Sequence, residues 1–202
     1  SDQNFNDATI ELAYIYLNGT YVPRDMGKAI YYFKLAADRN FPHSNFNLGI
    51  CYVEKKDIKK AIEYFLIDSN KNEPNAQFNL GSIYTYGLGG ECDIDKAIYY
   101  FTLAAKNNNH NAFFSLGYIY SSKKYNKFDL NKMIYYYTLS AKSNNSSAQL
   151  FLGLMYYYGL FVTQNIDKKQ QTFWRYRSDV DKLFNIKLKK LIKPNKNWKI
   201  DT

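Results

Sequence analysis

Five leucines set the frame of this chain. Leu12, Leu48, Leu80, Leu116 and Leu152 follow one another at intervals of 36, 32, 36 and 36 residues. Self-similarity at such a period constrains a fold more tightly than composition does, because each unit must be a supersecondary piece that packs on its neighbours. The residue after each Leu is small: Ala13, Gly49, Gly81, Gly117 and Gly153. Four residues before each Leu stands Ala8, Ser44, Ala76, Ala112 or Ala148, and four after it Tyr16, Tyr52, Tyr84, Tyr120 or Tyr156. Offsets of four place the small residue, the Leu and the Tyr on one helix face.

A second helix follows in every unit. Asp25, Asp57, Asp93, Asp129 and Asn165 mark its start, since their side-chain oxygens can accept from the free N–H groups of a first turn. Ala29, Ala61, Ala97, Met133 and Lys169 come four residues later, followed by an aromatic column of Phe33, Phe65, Phe101, Tyr137 and Phe173. Ala37, Ser69, Ala105, Ala141 and Arg177 close the helix. Pro42 and Pro74 fall at equivalent connections, where a first helical turn tolerates proline. One such helix pair cannot bury its own apolar stripe, but stacked pairs can, so the pattern predicts an all-α solenoid. Gly81 and Gly117 are then expected where one helix crosses another at close range. The units are residues 7–42, 43–74, 75–110, 111–146 and 147–177.

The run Ala76-Gln77-Phe78-Asn79-Leu80-Gly81-Ser82-Ile83-Tyr84-Thr85-Tyr86-Gly87-Leu88-Gly89-Gly90 resembles the Sel-1-like repeat, a relative of the tetratricopeptide repeat. Asp95-Lys96-Ala97-Ile98-Tyr99-Tyr100-Phe101-Thr102-Leu103-Ala104-Ala105 does so too. The resemblance implies a right-handed superhelix and makes Gly87, Gly89 and Gly90 the inter-helix turn. The second unit departs from it: between Tyr52 and Asp57 four loop residues are missing, as in a plain tetratricopeptide. The stretch Asp2–Ala8 aligns with Asp38–Ser44, so residues 1–6 are expected to be the remnant of a preceding repeat, with the N-terminus truncated. At the other end, apolar residues from Phe173 through Ile192 predict an amphipathic capping helix, with residues 178–202 forming a basic cap and tail.

Candidate chemistry is sparse. His43 and His110 lie two units apart in inter-repeat connections, and no His/Cys spacing provides a metal site. Cys51 and Cys92 occupy different repeat positions, so no disulfide is expected between them. No nucleophile–base set, paired carboxylates or phosphate-cradling loop stands out, so no enzyme and no cofactor are predicted. Tyr31-Tyr32 and Tyr135-Tyr136-Tyr137 are expected in the inter-helix core. No apolar run is long enough to span a bilayer and no signal peptide is visible, which favours the cytoplasm.

The net charge of +9 is concentrated at one end. Residues 167–202 hold eleven basic and four acidic groups. Lys182, Lys187, Lys189, Lys190, Lys193, Lys196 and Lys199 make this tail a candidate for nucleic acid or an anionic membrane. The surplus of Asn (22 residues) over Arg (4) suggests an AT-rich genome and carries no functional inference.

Related solenoids line their concave face with the first helix of each pair. If that geometry carries over, two columns face a groove: Tyr14, Ile50, Ser82, Tyr118 and Leu154, and beside them Leu17, Val53, Thr85, Ser121 and Tyr157. Some tetratricopeptide proteins hold a peptide carboxylate with Lys and Asn at these columns, but no Lys or Arg stands here. The face suits an apolar or extended peptide. The leading expectation is a non-enzymatic adaptor that binds another protein. A tail binding nucleic acid or membrane, with the solenoid as spacer, is second. A hydrolase, as proposed for some bacterial relatives, is third.

Overall fold

Repeats 1 to 4 each form the helix pair that their spacing predicts, and the first helix of repeat 5 follows them. The computed structural model describes residues 2–157, with side chains from residue 8 to residue 155. Nine α-helices and no strand occur among the described residues. They are α1 (Asp2–Asn18), α2 (Met26–Asp38), α3 (Ser44–Glu54), α4 (Ile58–Asn70), α5 (Pro74–Tyr86), α6 (Ile94–Lys106), α7 (Asn111–Ser121), α8 (Leu130–Lys142) and α9 (Ser146–Tyr157). The chain divides into two units, residues 1–112 and 113–202. In the first, three helix pairs succeed one another, with α2 against α3 and α4 against α5. This is the nearest-neighbour order of a helical solenoid. In the second, α8 packs with α9 and its Tyr136 stacks on Tyr120 of α7. Asn165, Lys169, Phe173, Arg177 and the expected capping helix lie outside the described residues.

Leu48, Leu80 and Leu116 are fully buried, whereas Leu12 stays exposed. The glycine after each buried Leu is there because a ring occupies the place of its Cβ. A Cβ on Gly49, Gly81 or Gly117 would stand 2.4, 2.6 or 2.8 Å from the ring of Phe65, Phe101 or Tyr137. The two helices of a pair therefore close to backbone-on-ring distance.

A second pairing repeats alongside. Tyr16 stacks on Tyr32, Tyr52 on Tyr64, Tyr84 on Tyr100 and Tyr120 on Tyr136, with planes within 7° of parallel. Lys28, Lys60, Lys96 and Lys132 each set an ammonium 4.8–5.4 Å over the first ring of its pair. Those lysines are held from below by the predicted caps. Asp25, Asp57, Asp93 and Asp129 accept from the backbone N–H of Lys28, Lys60, Lys96 and Lys132. The Asp57 carboxyl sits below its usual range because the Lys60 ammonium hydrogen-bonds it. For Asp93 the backbone N–H of Lys96 is the larger cause. A depressed folded-state pKa means that these caps contribute fully above the unfolded value of about 3.9 and fade as the pH falls below it.

The short second repeat closes like the others. The backbone N–H groups of Asp25, Asp57, Asp93 and Asp129 donate to the carbonyls of Tyr16, Tyr52, Tyr84 and Tyr120 at 2.9–3.0 Å. The four extra residues of a long loop are thus an excursion above a fixed closure, and repeat 2 omits only the excursion.

Asparagine ends the second helices. Asn40, Asn72, Asn108 and Asn144 all lie in the left-handed region, with φ between 55° and 68°. In α2, the N–H of Asn40 donates to Ala37 O and that of Phe41 to Ala36 O, a Schellman closure that recurs at Asn72, Asn108 and Asn144. Glycine would adopt this geometry without cost, and a β-branched residue would not. Asn108→Gly is therefore expected to leave the thermal midpoint unchanged or slightly raised. Asn108→Val should cost about 1–2 kcal/mol. Equal midpoints for the two variants in thermal unfolding would contradict the closure.

Two expectations shift. Pro74 begins α5 as predicted, but Pro42 lies in a turn outside α3, because His43 at φ 62° delays the helix to Ser44. Residues 2–6 lie in α1, whereas Arg39–Pro42, which align with residues 3–6, lie between α2 and α3.

Candidate partner-binding face

The first-helix columns divide into surface and core. Tyr14 on α1 is 40% exposed. Its ring stands edge-on to buried Phe33 at 5.3 Å, and its hydroxyl accepts a 2.8 Å bond from the Asn47 amide. That pairing fixes the ring and leaves its outer face to solvent. Leu17, Ile50 and Val53 are half-buried and pack on the core of the first unit, and Ser82 is half-buried, its hydroxyl donating to Phe78 O. Thr85, 6% exposed, turns its hydroxyl back to Gly81 O at 2.8 Å.

In the second unit Tyr118 on α7 is 41% exposed and meets the ring of Tyr125 edge-on at 6.3 Å. Ser121 is 1% exposed and donates to Tyr118 O at 2.8 Å. Leu154 is half-buried, and Tyr157 ends α9 with its side chain outside the described residues. Thr85 and Ser121 therefore offer no surface hydroxyl. A Ser or Thr within a helix satisfies itself on a preceding carbonyl unless a ligand competes for it. The tail lysines Lys182, Lys187, Lys189, Lys190, Lys193, Lys196 and Lys199 lie outside the described residues.

The tyrosine runs need correction. Tyr137 is buried and Tyr32 and Tyr136 lie in the stacked pairs, but Tyr31 and Tyr135 are exposed, as is Tyr99. Successive helical residues turn by about 100°, so a run of three cannot share one core face. Repeat position carried that signal: Tyr31, Tyr99 and Tyr135 each follow the second-helix small or Met column by two residues.

The other reactive groups have local explanations. Cys51 is buried, and burial pushes its thiol up to about 11, so it stays protonated at neutral pH. Cys92 is an exposed free thiol, 3.2 Å from Thr85 O. His43 Nδ1 lies 3.4 Å from Glu73 Oε2. Among the described residues no three His, Cys, Asp or Glu side chains come together as a metal site, and no helix is long and apolar enough to cross a membrane. The buried polar groups tie helix ends together. Asp68 accepts from Phe46 N–H at 2.8 Å and from the Asn45 amide at 3.2 Å. Fully buried Gln77 bridges Ser69 O and the Asn107 amide.

The Sel1 repeat model matches residues 6–41, 42–67, 74–109 and 146–168. The chain is 28% identical to a Sel1 repeat protein from Oxalobacter formigenes, with a TM-score of 0.68 over 86% of this chain and 73% of that one. It is 26% identical to a protective antigen present in uropathogenic Escherichia coli strains that displays an SLR fold. The TM-score there is 0.69, and the match covers 97% of this chain and 44% of that one. No curated protein matches the chain. Sel1 repeats generally bind other proteins as interaction scaffolds, and the family is typically non-catalytic. With the four matched segments covering more than half of its length, the chain belongs to the Sel1 repeat family.

Proposed function

We propose that the chain is a non-enzymatic adaptor that holds an extended segment of another protein on the first-helix faces of its repeats. The carrying observation is that Tyr14 and Tyr118, at the same repeat position, keep two-fifths of their surface in water while another ring braces each edge-on. A braced aromatic presents contact area at little entropic cost. Neither column contains a charge, so a ligand there would meet apolar surface with few ions to desolvate.

The test compares Tyr118→Ala with Tyr120→Ala. Tyr120 is buried and stacked on Tyr136, so its truncation should lower the thermal midpoint. Tyr118→Ala should weaken a partner captured from the source organism by at least about 1 kcal/mol, measured with purified components, while the protein melts close to wild type. If Tyr118→Ala unfolds the chain as severely as Tyr120→Ala, Tyr118 belongs to the core and this reading fails. If Tyr118→Ala folds and binds like wild type, the first-helix face is not the working surface.

A further inference from the structure

The short turn of repeat 2 has a long loop on either side. Asp57 follows Tyr52 by five positions, whereas Asp25 follows Tyr16 and Asp93 follows Tyr84 by nine. Both neighbouring loops reach repeat 2. Arg24, from the repeat 1 loop, binds Glu54 at the end of α3. The repeat 3 loop lies on the start of α4, where a Cβ on Gly89 would stand 3.0 Å from Ile62 and 3.4 Å from Ile58. All three closures share the backbone bond from the Asp N–H to the Tyr carbonyl. The residues missing from repeat 2 therefore leave a recess between the two loops, with Lys55 and Lys56 at its floor. Each flanking loop carries a large apolar side chain in water, Tyr21 at 85% exposure and Leu88 at 52%.

The floor of the recess is positive. Both acids of the turn are engaged, Glu54 by Arg24 and Asp57 by Lys60, whose ammonium lies 3.1 Å away and whose backbone N–H the same carboxylate caps. Lys55 and Lys56 are exposed, and neither forms an ion pair among the described residues; Lys55 adds only a weak pull on the Asp57 carboxylate. Glu91, the acid of the repeat 3 loop, pairs with neither lysine. Lys56 also holds a conformation that disfavours it. Its φ is 61°, and this left-handed residue closes α3, with the N–H of Lys56 donating to Val53 O and that of Asp57 to Tyr52 O, both at 2.9 Å. Elsewhere among the described residues that region is held by Gly19, Gly87, five asparagines and His43. A lysine there is strained where glycine would not be, and an outlier of this kind points to a role for its side chain.

We propose that this recess docks a short acidic segment of a partner protein, its carboxylates meeting Lys55 and Lys56 while an apolar side chain packs beside Tyr21 or Leu88. Lysine ammoniums are compact point charges that accept scattered carboxylates without fixed geometry. Two uncommitted cations between apolar loops match a few carboxylates, whereas salt-sensitive nucleic-acid binding draws on roughly 6–10 phosphate contacts. The site stands at the helix-connecting edge of repeat 2 and does not depend on the first-helix reading.

The test uses the full chain and a phage-displayed library of random peptides. The library is first depleted on the Lys55→Gln/Lys56→Gly variant, which removes peptides that bind other basic segments, and is then panned on wild type. Wild type should enrich peptides with Asp or Glu beside an aromatic or large aliphatic residue. A synthetic peptide so selected should bind the double variant about three- to tenfold more weakly at low ionic strength. Lys56→Gly alone should weaken binding while melting at least as high as wild type, because glycine relieves the left-handed strain. Lys56→Arg keeps the charge and should keep the binding. A Lys56→Gly variant that melts below wild type would show that the lysine serves the fold, and overturns the proposal. So does a selection that enriches no peptide or only neutral ones, and so does a loss of binding in Lys56→Arg as large as in the double variant. If single-stranded DNA binds more tightly than the acidic peptide and the double variant loses that binding, the recess is a nucleic-acid contact and the proposal falls.

Discussion

Phe65→Ala is expected to destabilise the protein by about 3–5 kcal/mol, the cost of deleting a buried ring whose site cannot collapse. Phe65 is fully buried on α4. Phe46 flanks it at 5.9 Å between centroids, and the Gly49 backbone lies so close that a Cβ there would fall 2.4 Å from the ring. The ring itself spans the gap between the α3 backbone and α4, and packing on the neighbouring pairs limits how far the two helices can close over the space it leaves. Because each repeat contacts mainly its neighbours, the damage should concentrate in repeats 1 to 3. Urea unfolding gives the total, and amide exchange should show the protection of α3 and α4 falling most. A loss below about 1 kcal/mol would mean that the ring is not the keystone of its pair.

Gly81→Leu is the converse experiment, expected to cost about 1–3 kcal/mol by overpacking. A Cβ at Gly81 would stand 2.6 Å from the ring of Phe101, which is itself buried, and leucine adds three more carbons in that direction. The two sites should couple. Phe101→Ala should cost less in the Gly81→Leu background than in wild type, because the larger side chain then fills the vacated ring volume. A Gly81→Leu variant that melts like wild type would contradict the register of the repeat. Additive costs in the double variant would show that glycine and ring do not share one space.

The Asn surplus shows how one residue type can carry two kinds of information. As composition it points to codon usage. As position it ends four helices, since Asn40, Asn72, Asn108 and Asn144 take the left-handed conformation that helix ends otherwise assign to glycine. Their spacing of 32, 36 and 36 residues was present in the sequence, in step with the leucines. An asparagine column signals a turn only once the neighbouring helix end is placed.

What the sequence by itself determined is everything that repeats. The leucine interval placed the helix pairs, the small column placed the ring-on-backbone crossings at Gly49, Gly81 and Gly117, and the aspartates placed four caps. These features are set by periodicity and local hydrogen bonding, which act within a few residues of chain. Only the tertiary structure decided how the two first-helix columns divide. By sequence Thr85 and Tyr14 stand equally well on a groove face, yet Thr85 is buried on its own helix carbonyl while Tyr14 is lifted into water by Phe33 and Asn47. Tyr118 is likewise fixed by Tyr125, a loop residue outside the helical register. Exposure at such positions depends on which side chains arrive from other helices and loops, and a helical period of 3.6 residues carries no information about them.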